Sequence, residues 1–138
     1  MSTFIVQHQC LSNEQIERLQ AIIESKQNCK CQADVSFGTV WITSDDELNE
    51  LRVSFLGDFE LVVSRVGFTH KRRGTMTSVL EELKKICTEV GVPRIVIQSV
   101  LTPEMQAFCQ AHHIEPDKNT TMQVGDVLVG DYYLMLDT

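Results

Sequence analysis

The sequence predicts a mixed α/β domain in which antiparallel strands precede a strand–helix–strand–helix core. Three observations support this fold class. An apolar run over residues 59–68 leads through a basic turn into a strongly amphipathic helical pattern. A second apolar run and a second helical pattern follow, whereas the first half contains short β-rich runs separated by turn residues. The 138 residues contain no linker or repeat, so we expect a single domain over residues 1–138.

The N-terminal part is predicted to contain a strand over residues 4–9 and then a helix. Ser12 is the expected N-cap because Gln15 completes a capping box with it, and the helix should end near Lys26. Its buried stripe is expected to comprise Ile16, Leu19, Ile22 and Ile23. Residues 27–32 are polar and are predicted to form a loop.

The next segments are predicted to be mainly strands. One strand is expected over residues 35–43, and residues 44–47 form either a single helical turn or an acidic loop. Residues 51–56 and 59–68 are predicted to be two strands joined by a hairpin-like connection at Gly57-Asp58.

The second half is predicted to contain two helices around a buried strand. The first begins near Gly74, and Gly91 ends it as a left-handed cap before Pro93. Residues 94–100 are continuously apolar, which is typical of a buried parallel strand. Thr102 caps the following helix, whose apolar face is Met105, Phe108, Cys109 and His112. Two final strands are expected, over residues 122–129 and 132–136, around Gly130-Asp131.

The basic turn before the first of these two helices is a predicted anion site. The first-turn residues, 74–77, carry backbone N–H groups without helical partners at the positive end of the helix dipole. Lys71, Arg72 and Arg73 add positive charge beside them. Such a terminus favours a phosphate or pyrophosphate. The turn lacks the Gly-Lys-Ser/Thr of a P-loop and two of the three glycines of a dinucleotide fingerprint.

Residues 70–76, His-Lys-Arg-Arg-Gly-Thr-Met, resemble the acetyl-CoA signature of the GNAT N-acetyltransferase superfamily. That signature is Arg or Gln, two residues, Gly, one residue, then Gly or Ala. Lys71 occupies the basic position and Gly74 matches the glycine, but Met76 stands where the family has a small residue. The order of elements agrees over residues 34–137, so the resemblance implies a GNAT-like fold.

The resemblance implies acetyl transfer from acetyl-CoA to an amine by direct attack, without a covalent enzyme intermediate. It assigns the pyrophosphate to Arg72, Arg73, Gly74, Thr75, Met76 and Thr77. It assigns the pantetheine and the thioester oxygen to the end of the preceding strand, at Val66, Gly67 and Phe68. A glycine within a strand often marks a bulge or a close backbone approach, so Gly67 is a candidate for one.

The acid and base are less clear from the sequence. The family often uses a tyrosine on the last helix, and Cys109 stands at that position here. Cys109 is a candidate acid for the leaving thiolate, although a thiol on an apolar helix face more often belongs to the core. Glu60 is a candidate base acting on the amine through water, or else a solvated edge carboxylate. Tyr132 and Tyr133, near the end of the chain, are alternative candidates for the acid.

Composition limits the partners and the compartment. A net charge of −7 argues against a nucleic-acid binder. No apolar run approaches the roughly 18 residues that a membrane span needs, and from residues 1–3 we expect no signal peptide. Five cysteines, an odd number, fit reduced thiols in the cytoplasm. We expect no metal, because Cys29 and Cys31 lack a second Cys or His pair at zinc-finger spacing.

Two functional hypotheses therefore remain. The first is a cytoplasmic acetyl-CoA-dependent N-acetyltransferase. Its acceptor would be an amine-bearing small molecule, peptide or protein, and the resemblance leaves room for a homodimer. The second is a GNAT-fold interaction module with weak or no catalysis, which Met76 and the absent tyrosine favour.

Overall fold

The computed structural model describes residues 10–136, so the strand predicted over residues 4–9 lies outside the described residues. Capping residues and apolar periodicity place the elements in the expected order. They are α1 (Asn13–Gln27), β1 (Cys31–Ser36), β2 (Thr39–Ser44), β3 (Glu50–Leu56), β4 (Glu60–Gly67), α2 (Thr75–Val90), β5 (Arg94–Val100), α3 (Pro103–Ala111), β6 (Glu115–Pro116), β7 (Met122–Val124) and β8 (Val127–Met135). Over these residues, no helix combines the length and apolar character needed to cross a membrane.

The strands form one mixed sheet in the order β1-β2-β3-β4-β5-β8-β6, with β7 paired to β8. β1 to β4 are antiparallel neighbours, and α2 connects β4 to β5, which are parallel. The parallel pairing joins only residues 61–63 to residues 95–97. Beyond these positions β4 and β5 have no pairing with each other. We call the opening between their C-terminal ends the strand gap.

The helices form where the sequence predicts them, because their signals are local. Ser12 and Gln15 make the reciprocal bonds of a capping box at the start of α1. Gly91 ends α2 at φ 81°, and its N–H donates to the Cys87 carbonyl. The apolar faces of the helices and of the sheet meet in one core, whose fully buried members include Leu19, Ile23, Ile42, Leu51, Leu61, Leu80, Leu83, Ile86, Ile95 and Ile97.

The single strand predicted over residues 35–43 is wrong, because the chain reverses within it. Phe37 and Gly38 have φ values of 51° and 79°, so they form the tight turn of a hairpin between β1 and β2. Positive φ at both central residues matches the twist of the flanking strands. Phenylalanine rarely adopts this conformation, and its side chain is fully exposed here, so its apolar character misled the prediction. Residues 45–47 form a turn, closed by the Glu47 N–H donating to the Ser44 carbonyl.

The prediction for the C-terminal strands is wrong in the position of its turn. The reversal falls at Gly125, with φ 60°, and β8 then continues through Gly130 and Asp131. Gly130 is required for a different reason, because a Cβ there would lie 2.6 Å from the Thr120 carbonyl oxygen. The glycine therefore marks a close backbone approach and not a turn.

Two strand irregularities flank the strand gap, and neither is at Gly67. Arg52 pairs with Arg65 and Val53 with Val63, so Ser64 is the extra residue of a bulge in β4. In β5 the register with β8 shifts between Ile97 and Val100, where Ser99 has φ 56°. Gly67, the candidate for a bulge or a close backbone approach, pairs regularly with Glu50, and the bulge lies three residues earlier. Both irregularities lie where β4 and β5 cease to pair.

Candidate functional site

The first turn of α2 presents backbone N–H groups without protein acceptors. Gly74 is its N-cap at φ 70° and makes no side-chain capping bond. The first helical bond is donated by Ser78 to the Gly74 carbonyl, at 3.0 Å. Among the described residues, none accepts a hydrogen bond from the N–H groups of residues 74–77. Unbonded N–H groups at the positive end of a helix dipole are an arrangement that favours an anion.

The basic residues of the turn have different roles. Arg73 donates to the Lys26 carbonyl at the end of α1, at 3.4 Å, so its charge complements the C-terminus of that helix. Lys71 and Arg72 are exposed beside the first turn of α2. Arg72 has φ 63°, a conformation that costs a non-glycine residue roughly 1–2 kcal/mol. Such strain persists only where surrounding contacts enforce it.

A buried amide from α1 enforces the shape of the turn. The side chain of Gln27 is 1% exposed and donates to the His70 carbonyl at 2.9 Å and to the Thr75 hydroxyl at 2.7 Å. Its oxygen accepts the His70 N–H at 2.7 Å. One side chain therefore holds both ends of the basic turn. The Thr75 hydroxyl oxygen accepts this bond, and the residue is buried, so its side chain belongs to the internal contacts of the turn.

A second buried amide, Asn49, holds the start of the turn. Its side-chain oxygen accepts the Thr69 N–H at 2.8 Å, and its backbone N–H donates to the Ser44 hydroxyl at 3.0 Å. Asn49 is 2% exposed, so this bond is shielded from water. The turn between β2 and β3 is thereby joined to the end of β4.

The end of β4 lies along the strand gap. Val66 and Gly67 pair with β3 on one side only, because β5 pairs no further than Val63. Val66 and Phe68 pack against the margin of the core, as does Met76. A Cβ at Gly67 would have no neighbour within 4 Å. The backbone here is an unpaired strand edge next to open space.

The structure places Glu60 away from this site. It is the first residue of β4, seven residues from Gly67, which corresponds to about 23 Å along a strand. Its carboxylate lies 3.3 Å from the Arg94 guanidinium, which stacks on the Tyr133 ring at 4.4 Å. Glu60 therefore serves an ion pair at the opposite end of the strand, and this position gives no support to a catalytic role.

Cys109 is a core residue in the structure. Its side chain is fully buried, and burial raises its pKa to about 12. Tyr132 is buried beside it and donates its hydroxyl to the Leu128 carbonyl at 2.6 Å. Burial, followed by the proximity of Cys109, raises the pKa of Tyr132. The packing interpretation of Cys109 thus agrees with its burial, and Tyr132 is held by its own hydrogen bond.

Sequence reasoning gave no role in the site to three residues that shape it. Gln27 and Asn49 are two of them, and His112 is the third. The ring of His112 stacks on Phe108 at 4.3 Å, and its Nε2 lies 3.5 Å from the Thr77 hydroxyl. It therefore brings the end of α3 to the first turn of α2. A signal existed for Gln27, because it follows Ile23 by four residues and so continues the buried stripe of α1.

The arrangement of strands and helices also occurs in solved structures. Ard1 from Thermoplasma volcanium superposes with a TM-score of 0.54 at 9% identity, covering 94% of this chain and 97% of that one. A probable GNAT-family acetyltransferase from Chromobacterium violaceum superposes with a TM-score of 0.52 at 12% identity, covering 93% of this chain and 86% of that one. The chain has the GNAT fold. Escherichia coli ElaA superposes with a TM-score of 0.51 at 16% identity, covering 89% of this chain and 91% of that one.

Sequence comparison adds nothing to this fold assignment, because no family model and no curated protein matches the chain. The structural likeness therefore confirms the mixed α/β fold class and the GNAT-like architecture predicted from the sequence. In this fold, the basic turn and the first turn of α2 lie between the parallel strands β4 and β5 along the chain.

Proposed function

We propose that the protein is an acetyl-CoA-dependent N-acetyltransferase that transfers acetyl to an amine by direct attack. The observation that carries the proposal is the first turn of α2, whose unbonded N–H groups adjoin a basic turn in a GNAT fold. Several solved structures with this fold are acetyltransferases by name. The strand gap supports the same reading, because an extended pantetheine arm can bond an unpaired strand edge.

The proposed roles follow from the geometry. The N–H groups of residues 73–77 bind the pyrophosphate, and Lys71 and Arg72 neutralise its charge. The Thr77 hydroxyl, which is exposed, adds a further donor, whereas that of Thr75 is buried against Gln27. The backbone of residues 66–68 bonds the pantetheine and aligns the thioester at the strand gap.

The chemistry then requires few additional groups. The neutral amine attacks the thioester carbon, the carbon–sulfur bond breaks, and the amine proton passes to solvent. The leaving thiolate has an ordinary pKa near 8.5, so it departs with little help from an acid. The burial of Cys109 and the remote position of Glu60 do not favour either as acid or base. The proposal therefore assigns the proton transfers to water at the strand gap.

The acceptor is proposed to be an amine on a small molecule, a peptide or a protein. The chain carries 19 acidic and 12 basic residues, which favours a cationic partner over an anionic one.

Thr77 offers the sharpest test, because it is exposed at the first turn and lies outside the core. Thr77→Glu places a carboxylate where the pyrophosphate should bind, while the helix dipole favours an acid there. We expect acetyl-CoA affinity, measured by calorimetry, to fall at least tenfold with no loss of thermal stability. Thr77→Gln is the isosteric control and should bind within about threefold of wild type.

Equal affinity in both Thr77 variants and in wild type would contradict the proposed pyrophosphate site. Gly74 is less suitable for this test because its φ of 70° makes any side chain strained there. An interaction module with weak or no catalysis is the alternative, and it is favoured by the burial of Cys109. Absence of acetyl-CoA binding by wild type would support that alternative.

A further inference from the structure

Two thiols meet at the connection between α1 and β1. The sulfurs of Cys29 and Cys31 lie 3.7 Å apart, and both side chains are half-buried. Among the described cysteines, Cys87 and Cys109 are by contrast fully buried in the core. The pair is therefore the place in the described chain where two thiols are both close together and near the surface.

Solvent reaches Cys29 through a surface cavity of about 570 Å³. Cys29 lines the cavity together with Asn28, Lys30, Asp45 and Asp46. Cys31 does not line this cavity, so Cys29 is the more accessible thiol of the two. Burial, and then the hydrogen bond and charge of Cys29, raise the pKa of Cys31 to about 12. Cys29 is thus the thiol placed to react first.

The pair is linked to the basic turn through Asn49. The Asn49 side-chain N–H group donates to the Cys29 sulfur at 3.9 Å, and the Asn49 oxygen holds the Thr69 N–H at 2.8 Å. Thr69 lies at the start of the turn that leads to Gly74. A displacement of the Cys29 sulfur therefore removes one of the contacts that fix the Asn49 amide.

We propose that Cys29 and Cys31 are a site of reversible disulfide formation by a peroxide. The Cys29 thiolate attacks the peroxide oxygen to give a sulfenic acid, and the other oxygen leaves as water. The Cys31 sulfur then displaces the sulfenic oxygen, also as water, and its proton completes that molecule. The two thiols lose two electrons in total, and the peroxide is reduced to two water molecules.

The disulfide is expected to be easily reversed. Bond formation brings the sulfurs from 3.7 Å to about 2.05 Å across a ring that contains only Lys30 between the cysteines. Strained disulfides are the more readily reduced ones. On the basis of the proposed function, the same movement loosens Asn49 and the turn, and so weakens acetyl-CoA binding by about fivefold, the loss expected for one hydrogen bond.

Trypsin provides a direct test, because it cleaves after Lys26, Lys30 and Arg52. Wild-type protein is treated with one equivalent of hydrogen peroxide, its free thiols are alkylated, and it is digested. We expect peptides 27–30 and 31–52 to remain joined by the disulfide. The mass of the joined peptides should be two hydrogens below the summed masses of the two thiol peptides. Dithiothreitol should separate them. Separate, alkylated peptides would overturn the proposal whatever the protein binds.

Calorimetry with acetyl-CoA tests the effect on the turn. Oxidised wild type should bind about fivefold more weakly than reduced wild type, and dithiothreitol should restore the affinity. Cys29→Ser is the control, because it lacks the thiol that peroxide oxidises first, so peroxide treatment should not change the affinity of this variant. Equal affinity of oxidised and reduced wild type would overturn the link through Asn49. Absence of binding by reduced protein would instead contradict the proposed function.

Discussion

At the scale of single residues, two buried amides determine the shape of the candidate site. Gln27 bonds His70 and Thr75, and Asn49 bonds Thr69, so three points of the basic turn are fixed from outside it. A buried amide that loses its partners leaves them unsatisfied, at about 1–3 kcal/mol for each group. These two side chains therefore give the strained turn a single conformation.

Gln27→Met removes the bonds to the turn while preserving the length of the side chain. We expect the unfolding free energy, measured in urea, to fall by about 2 kcal/mol, because polar groups of His70 and Thr75 lose a buried partner. Acetyl-CoA affinity should fall about tenfold as the first turn of α2 loses its fixed position. Pantetheine, which lacks the pyrophosphate, should bind the variant and wild type equally.

Gln20→Met is the matched control, because Gln20 lies on the same helix and donates to the Cys31 carbonyl at 2.8 Å, away from the turn. Its acetyl-CoA affinity should match wild type. If both variants weaken binding equally, Gln27 stabilises the fold without positioning the turn. The affinities for pantetheine and for acetyl-CoA distinguish these two roles, because only acetyl-CoA carries the pyrophosphate that the turn is proposed to bind.

At the scale of elements, charged contacts join α1 to α2 beneath the candidate site. Arg18 on α1 lies 2.9 Å from Glu82 and 2.7 Å from Glu89, both on α2. Glu82 is 9% exposed, so Arg18 neutralises a nearly buried carboxylate. The orientation of α2, and with it the direction of its N-terminus, depends partly on this contact.

Arg18→Met should therefore lower the urea midpoint at pH 7, because Glu82 would lose its nearest positive charge. Hydrogen bonds from Arg18, and then from Gln15, lower the pKa of Glu89 below its ordinary value of 4.5. A lowered folded-state pKa stabilises the protein above pH 4.5, and this stabilisation is lost as pH falls through the folded-state value. Wild type should lose stability below pH 4.5 more steeply than Arg18→Met.

Urea titrations between pH 7 and pH 3 measure both effects. Arg65→Met is the control, since Arg65 is exposed and pairs with Glu50 at the surface, where ion pairs contribute little. Its midpoint should stay close to wild type at pH 7. If the stability of wild type and of Arg18→Met falls in parallel with pH, Arg18 does not lower the pKa of Glu89, which would contradict the prediction.

At the scale of the whole molecule, the strand gap is the feature that a ligand would use. β4 and β5 pair over three positions and then part, next to the bulge at Ser64 and the irregular backbone at Ser99. The unpaired N–H groups at the end of β4 and at the start of α2 adjoin this opening. They should exchange their hydrogens freely without ligand and become protected when acetyl-CoA binds.

Hydrogen exchange followed by mass spectrometry measures this protection. Peptides that cover residues 66–68 and 74–77 should gain protection with saturating acetyl-CoA. Peptides that cover Glu60 and Arg94, at the other end of the parallel pair, should remain unchanged. Protection confined to the Glu60 end would contradict both the proposed site and its orientation.

The sequence by itself determined the features whose signals are local. Ser12 and Thr102 cap their helices, Gly91 ends α2, and the hairpin between β3 and β4 turns at Gly57, all within a few residues of the signal. Together they predicted the order of the main helices and strands. Local signals misled at Phe37, which takes a turn conformation, at Gly130, which serves a close approach, and at Gly67, which pairs regularly.

Only the tertiary structure decided how these elements meet. Gln27 contacts residues 43 and 48 positions away, and the strand gap depends on a register between strands separated by a whole helix. Cys109 became a core residue, whereas Cys29 and Cys31 met at the surface, although all three share one chemistry. Contacts of this kind arise from packing of distant segments, which no spacing along the chain encodes.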